Sequence, residues 1–263
     1  MRAAAGAALI LLAAAVDAGP RVASFSPGAT RTLIDLGVAD DIAAATRWCP
    51  LPATHAAARS CDAFAPDMER LKAARPEIVI VPRSANPLWP ERCRKEGFRT
   101  VILSPESPDS VATDIRLIGA AVGCAEKAEA LASRLGLAHS DTGPRRNIAI
   151  IWGGVTAGPQ SYLAGPLRDW GYTLVPTKGS WSRLDWEEMT REDIAAIVWI
   201  EESEQDGPLA PSSQKLALLR QMPALERVRA VQSGSVYAGP SGSDWLPGSG
   251  LLALRQKLGA IPR

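Results

Sequence analysis

The sequence predicts an α/β protein of two Rossmann-like lobes with parallel central sheets, joined by one long connecting helix, with a ligand cleft between the lobes. Three observations predict it. Short apolar runs alternate with helix-spaced segments, the pattern of parallel strands linked by crossover helices. The alternation occurs in two stretches, separated by one long periodic segment. The two stretches also echo each other: Asp67-Met68-Glu69-Arg70-Leu71 leads into Ile78-Val79-Ile80-Val81, as Asp185-Trp186-Glu187-Glu188-Met189 leads into Ile197-Val198-Trp199-Ile200.

The first segment stands outside this pattern. Met1 and Arg2 precede an uncharged run of small and apolar residues, and Ala18 precedes Gly19 and Pro20. A charged start, a short apolar region and small residues before the cut read as a secretory signal over residues 1–18. A buried helix or a membrane anchor is the alternative, but a span needs about 20 apolar residues. The mature chain is expected in the periplasm, not inserted in the membrane.

The N-terminal lobe is assigned to residues 19–107. Strands are expected at 22–25, 42–46, 78–81 and 100–103, and helices at 30–36, 67–74 and 90–96. Gly37 and Gly97 follow two of these helices as stop signals. The connecting helix is assigned to 108–139. Val111, Ile115, Ile118, Val122, Ala125, Leu131 and Leu135 step along it by three or four, with Ala128 filling the one wider gap. That is a helix of about 28 residues, about 40 Å long. The C-terminal lobe takes 140–263, with strands at 147–152, 173–175, 196–200 and 235–238. Its helices are expected at 161–170, 187–194, 212–221 and 248–258.

Apolar residues make up 46% of the chain and charged residues 22%, which excludes both a disordered chain and a membrane bundle. Lys and Arg total 29 against 28 for Asp and Glu, so no basic field exists for nucleic acid. The two histidines, His55 and His139, leave little material for a zinc, copper or haem site, and no metal site is predicted. Cys49, Cys61, Cys93 and Cys124 match no zinc spacing. In an oxidising compartment disulfides are expected, of which four cysteines allow three connectivities. Cys49–Cys61 is preferred, with Cys93–Cys124 as a second pair; buried thiols are the alternative.

Enzyme motifs are missing. No G-x-S-x-G elbow and no G-x-G-x-x-G after the first strand are present. Gly153, Gly154 and Gly158 superficially resemble a phosphate loop, but Pro159 and Gln160 stand where Lys and Ser or Thr are needed, so a turn at a cleft edge is expected. Glu187–Glu188 and Glu201–Glu202 are sequence neighbours that point apart on a helix or strand, and are read as solvated.

The tryptophans say more. There are 8 Trp against 3 Tyr and 3 Phe, a hint of a flat or bulky ligand. In open parallel α/β sheets ligands bind beyond the carboxyl ends of the strands. Trp48, Trp89, Trp152, Trp181 and Trp245 all follow or end expected strands, and Phe64 lies in the loop before the Asp67 helix. Such rings, drawn from both lobes, suit a large ligand with an apolar face. Trp170 and Trp199 lie inside regular elements and are read as structural.

Across residues 21–260 the chain resembles the helical-backbone class of periplasmic substrate-binding proteins, which serve importers of cobalamin, siderophores and haem. The resemblance is carried by Arg21-Val22-Ala23-Ser24-Phe25-Ser26-Pro27, by Asp67 to Leu71 running into Arg75-Pro76-Glu77-Ile78, and by Glu226 to Tyr237. Ala195-Ala196 depart from it, standing where Pro-Asp is usual. Within the class the resemblance is nearest to the cobalamin-binding members, on Ser243-Asp244-Trp245 before a final helix and on Trp48 in place of a ligand-facing Tyr. It implies capture of a corrinoid, cobalamin being transported cargo and not a cofactor, by a monomer that delivers it to an ABC permease dimer in the inner membrane. Trp48, Phe64, Trp89, Trp152, Trp181 and Trp245 are then expected to line the cleft, with Asp244 accepting hydrogen bonds from peripheral amides. It also implies that Glu69 and Glu187, one per lobe, meet Arg residues of the two permease subunits. The alternative is a ferric siderophore, for which Arg47, Arg83 and Arg183 are the candidate cations, or haem, which needs a Tyr or His ligand and for which the two histidines offer little. A third reading is an enzyme or sensor that has kept the binding fold.

Overall fold

The structure, a computed structural model, describes residues 19–261 apart from 85, 106–108, 137–143, 192, 204 and 260. The leader assigned to 1–18 and His139 therefore lie outside the described residues. Two α/β lobes are present, as the alternation predicts.

The first lobe runs β1 (Val22–Ser24), α1 (Pro27–Leu36), β2 (Ile42–Ala45), α2 (Met68–Ala74), β3 (Ile78–Pro82), α3 (Trp89–Lys95) and β4 (Arg99–Leu103). Its sheet has the order β2-β1-β3-β4 and is parallel throughout. Both faces are buried, which is why β3 reads as an unbroken apolar run: Ile78 and Ile80 enter one core, Val79 and Val81 the other. Local signals set the helix ends. Ser26 caps α1 by accepting from the Ala29 amide (3.3 Å), Pro27 opens it, and left-handed Gly37 closes it.

The single long connecting helix is a correction. The chain forms two helices, α4 (Ser110–Ala121) and α5 (Ala125–Leu135), folded into a hairpin. Gly123 takes a φ of +76° between them, a conformation no helix continues through. Gly119 lets the pair approach, since a Cβ there would lie 2.1 Å from that of Ala128. The apolar spacing keeps phase across this break, so the turn is invisible to periodicity. α4 packs on α1 and β4 of the first lobe, and α5 packs on the last helix of the second.

The second lobe runs β5 (Arg146–Trp152), β6 (Val155–Ala157), α6 (Ala164–Asp169), β7 (Tyr172–Leu174), β8 (Trp181–Arg183), α7 (Trp186–Thr190) and β9 (Ala196–Glu201). It ends with β10 (Ala210–Pro211), α8 (Ser213–Arg220), α9 (Arg229–Ser233), β11 (Val236–Pro240) and α10 (Leu251–Gly259). A parallel core, β11-β9-β5-β7, matches expectation. The sheet as a whole is mixed, because β6, β8 and β10 join it antiparallel. These strands are two or three residues long, too short to show alternation. Gly153 and Gly154, at φ +54° and +87°, form the tight turn between β5 and β6, so the glycine cluster makes a hairpin and not a phosphate loop.

The expected disulfides are also corrected: all four cysteines are free. Cys93 packs with α3 on one face of the first sheet, while Cys124 sits between α4 and α5, packed against the core on the other face. Cys49 turns inward, its thiol sharing a hydrogen bond with Thr46 Oγ1 (3.2 Å). Burial pushes the Cys49 and Cys61 thiols up and that of Cys93 up to about 11, so all three are held protonated.

The lobes meet where the start of α1 presses on residues 243–249. A Cβ on Gly28 would lie 2.1 Å from the Pro247 carbonyl oxygen, and one on Gly248 would lie 2.3 Å from that of Gly28. Ser249 donates its amide to Thr32 Oγ1 (3.1 Å) and its hydroxyl to Asp35 (2.6 Å). Because backbone faces backbone, Gly28→Ala must push the lobes apart, an overpacking cost of about 1–3 kcal/mol. Thermal unfolding is expected to show Tm lowered by about 2–4 °C per kcal/mol, whereas Gly259→Ala, at an open position of α10, leaves Tm unchanged or raised.

Candidate functional site

A cavity of about 780 Å³ opens between the lobes at the carboxyl ends of the strands. From the first lobe, the β1–α1 junction contributes Phe25 to Gly28, the loop after β2 contributes Thr46, Trp48 and Pro50, and the loop after β3 contributes Ser84. Ala63 and Phe64 come from the segment before α2, and Pro105 from the end of β4. The second lobe answers with Trp152 at the end of β5, Glu202 and Ser203 after β9, and Ser241 and Ser243 after β11.

Three of the expected aromatic residues line this cavity, and local structure explains their posture. Cys49 is anchored in the core, and its amide donates to the Thr46 carbonyl (3.1 Å), which turns the intervening Trp48 outward to 51% exposure. The Arg47 guanidinium stacks 4.7 Å from the Trp48 ring centre. Phe64, 73% exposed, rides on a turn in which the Asp62 carboxylate accepts from the Phe64 and Ala65 amides (2.8 and 3.0 Å). Those two amides hold the Asp62 carboxyl below its usual range. Trp152 lines the same cavity from the other lobe.

The remaining expected residues lie outside the lining. Trp181 backs Trp152 edge-on at 6.0 Å and rests on Tyr162 at 5.9 Å. Tyr162 in turn donates to the Trp245 carbonyl (2.7 Å), and Trp245 is fully buried. Trp89 is buried beneath Phe25, edge-on at 5.7 Å, so a ring that the sequence did not single out occupies the cavity wall in its place. Asp244 is 3% exposed, ion-paired with Lys257 and 3.5 Å from Arg31. Its carboxylate is engaged by two cations. Asp206 completes this junction, accepting from the Ser243 amide (2.6 Å), the Ser243 hydroxyl (2.9 Å) and Arg31 (3.2 Å). Burial opposes the Arg31 charge, but Asp35, Asp244 and Asp206 outweigh it and raise its pKa.

Sequence reasoning missed Phe25, Glu202 and the lining serines. The signal was available, since each lies within three residues of a strand's carboxyl end, the criterion applied mainly to tryptophan. Glu202, read as solvated, is exposed into the cavity. Arg47, Arg83 and Arg183 are absent from the described lining. Among the described residues, no cluster of three His, Cys, Asp or Glu could hold a metal ion, and no helix is long and apolar enough to cross a membrane.

Glu69 and Glu187 sit on the outer surface in matching settings. Asp67 caps α2 by accepting from the Glu69 and Arg70 amides at 2.9 and 3.3 Å. Asp185 caps α7 by accepting from the Glu187 and Glu188 amides at the same two distances. The two glutamate side chains are 87% and 77% exposed.

A model of the periplasmic binding protein family matches residues 22–242. No curated protein matches the sequence. Among solved structures, the periplasmic haem-binding protein HutB of Vibrio cholerae aligns at TM-score 0.72 and 17% identity, over 92% of this chain and 99% of that one. A possible iron-binding, periplasmic solute-binding protein of Staphylococcus epidermidis aligns at TM-score 0.67 and 16% identity, over 92% and 99%. The haem-binding protein RhuT of Roseiflexus sp. RS-1 aligns at TM-score 0.66 and 16% identity, over 90% and 97%. At these identities the likeness concerns the fold.

Proposed function

The chain belongs to the periplasmic binding protein family, and from that premise we propose that its cleft carries an iron chelate, a ferric siderophore or haem, to an ABC permease. The family and its structural neighbours bind solutes outside the cytoplasm and are not catalysts. This replaces the corrinoid expected from the sequence. The similar structures above are described as haem- or iron-binding. Asp244 and Trp245, on which the likeness to cobalamin-binding members leaned, are buried at the lobe junction and absent from the described cavity lining.

The observation that carries the proposal is the cavity itself, with Trp48 and Phe64 on one wall and Trp152 on the other. Its volume falls within the range of small-molecule sites, and aromatic faces supply area with little entropy to lose. Glu69 and Glu187 are proposed as the permease contacts.

Equilibrium titration with ferric chelates and haemin tests the proposal. At least one should bind with a Kd below about 1 µM. Trp48→Ala should weaken that binding about thirtyfold, the usual scale for truncating an aromatic anchor. No binding at about 10 µM, or an unchanged affinity in the variant, counts against it.

A further inference from the structure

We infer that Asp206, absent from the described cavity lining, is the positioning residue of the second lobe's cavity wall: it fixes the shape of residues 242–244 and the direction in which the Ser243 hydroxyl meets cargo. The inference rests on the reading of the cleft as the cargo site and holds for whichever solute enters it.

Two neighbouring loops build this wall. One follows β9 and brings Glu202 and Ser203 into the lining; the other follows β11 and brings Ser241, Gly242 and Ser243. Side chains join the loops twice. Next to the strands, the Ser241 hydroxyl donates to the Ser203 carbonyl (2.7 Å) and accepts from the Ser203 amide (2.9 Å). Further out, Asp206 Oδ1 accepts from the amides of Ser243 (2.6 Å) and Asp244 (3.3 Å). Its Oδ2 accepts from the Ser243 hydroxyl (2.9 Å) and from Arg31 of the first lobe (3.2 Å). Bonds to an ionised acceptor are the strong ones, so this second joint holds the outer part of the wall. Gly242 admits the carboxylate: its φ is +25°, and a Cβ there would overlap Asp206 Oδ1.

The hydroxyl's direction follows from the same contacts. A carboxylate only accepts and a guanidinium only donates. Ser243 Oγ therefore gives its proton to Asp206 and takes one from Arg31 (2.8 Å), which leaves a single lone pair for the cavity. Asp206 thus makes Ser243 an acceptor toward cargo. The other carboxylates at this junction have different partners. Asp244 is held by Lys257 and Arg31, and Asp35 accepts from Ser249 and Arg31. Removing the Asp206 carboxylate leaves the two amides without it and frees the Ser243 proton. Arg31 keeps Asp35, Ser243 and Asp244, so the lobes stay joined while the wall loses its brace.

The test combines residue-resolved amide exchange of the purified protein with titration by an Fe(III) tris-hydroxamate and by haemin. In Asp206→Ala the Ser243 and Asp244 amides should exchange at least about tenfold faster, the scale of bonds lost to a charged acceptor. The amides of Ile197 to Ile200 in β9 should keep their wild-type rates, because the sheet is untouched. Asp206→Asn retains an oxygen for the two amides, so their exchange should return to within about threefold of wild type. Its Nδ2 donates to Ser243 Oγ, however, and releases the serine proton. Whichever probe binds should therefore bind about tenfold more weakly to Asp206→Ala, and at least about threefold more weakly to Asp206→Asn. The inference is overturned by unchanged Ser243 and Asp244 exchange in Asp206→Ala, by faster exchange spread equally through β9, or by wild-type affinity in either variant. In each of these cases the iron-chelate reading survives. If neither probe binds the wild type at about 10 µM, that reading falls, and the exchange rates alone decide the inference.

Discussion

Reversing both exposed glutamates, Glu69→Arg with Glu187→Arg, is expected to abolish uptake while leaving the affinity for cargo unchanged. The two carboxylates are the second residues of capped helices in equivalent places of the two lobes, and each is exposed and outside the cavity lining. The matched cap distances at Asp67 and Asp185 hold both helix starts in one geometry. The exposed amides of a helix start favour a carboxylate by about 0.3–1 kcal/mol and keep it ionised. Each also has an intramolecular partner: Glu69 lies 4.0 Å from Lys72, and Glu187 is bonded to Arg191 (2.5 Å). These are solvent-screened pairs of small worth, easily exchanged for a partner's guanidinium. Two such points, one per lobe, suit a two-fold receptor and set orientation more than affinity. Transport assays of the double variant beside titration of its cargo separate the outcomes. Persisting uptake, or loss of cargo binding as well, contradicts the docking role.

Asp244→Ala is expected to destabilise the protein by about 3–5 kcal/mol, the range for removing one partner of a buried ion pair. Asp244 is nearly inaccessible, and Lys257 Nζ is buried with Asp244 as its ion-pair partner. Truncation leaves that ammonium without its counter-ion and removes one of the three carboxylates holding Arg31 between the lobes. Urea unfolding of the variant measures the loss. The double variant Asp244→Ala with Lys257→Met should recover part of it, since the orphaned charge goes too. A loss below about 1 kcal/mol would place the pair in effectively solvated surroundings.

The fold was legible where residues speak locally. Ser26-Pro27 opening a helix, Asp67 and Asp185 capping, and the apolar run of β3 each state their structure within a few residues. Gly123 was passed over because Val122, Ala125 and Ala128 keep helical phase on both sides of it, so only its backbone angle reveals the turn. β6, β8 and β10 were missed because two or three residues carry no period. The cysteine pairing failed for a different reason. Compartment chemistry allows a disulfide, but packing on opposite faces of a sheet keeps Cys93 from Cys124, and no local pattern reports which face a thiol takes.

The cavity was legible in its position and not in its depth. A tryptophan after a strand is near the cleft, which placed Trp48 and Trp152 on its walls. The same position is satisfied by a ring one layer behind, as Trp181 behind Trp152 and Trp89 beneath Phe25. Asp244 looked like a ligand contact because its two cations, Arg31 and Lys257, are remote in sequence and meet it only in the folded chain.

Anomalous diffraction above the iron edge, from crystals grown with a ferric tris-hydroxamate, tests the central claim most directly. The account predicts one iron peak in the cavity between Trp48 and Trp152. An iron peak elsewhere on the molecule, or a cavity left without iron at saturating chelate, would contradict it.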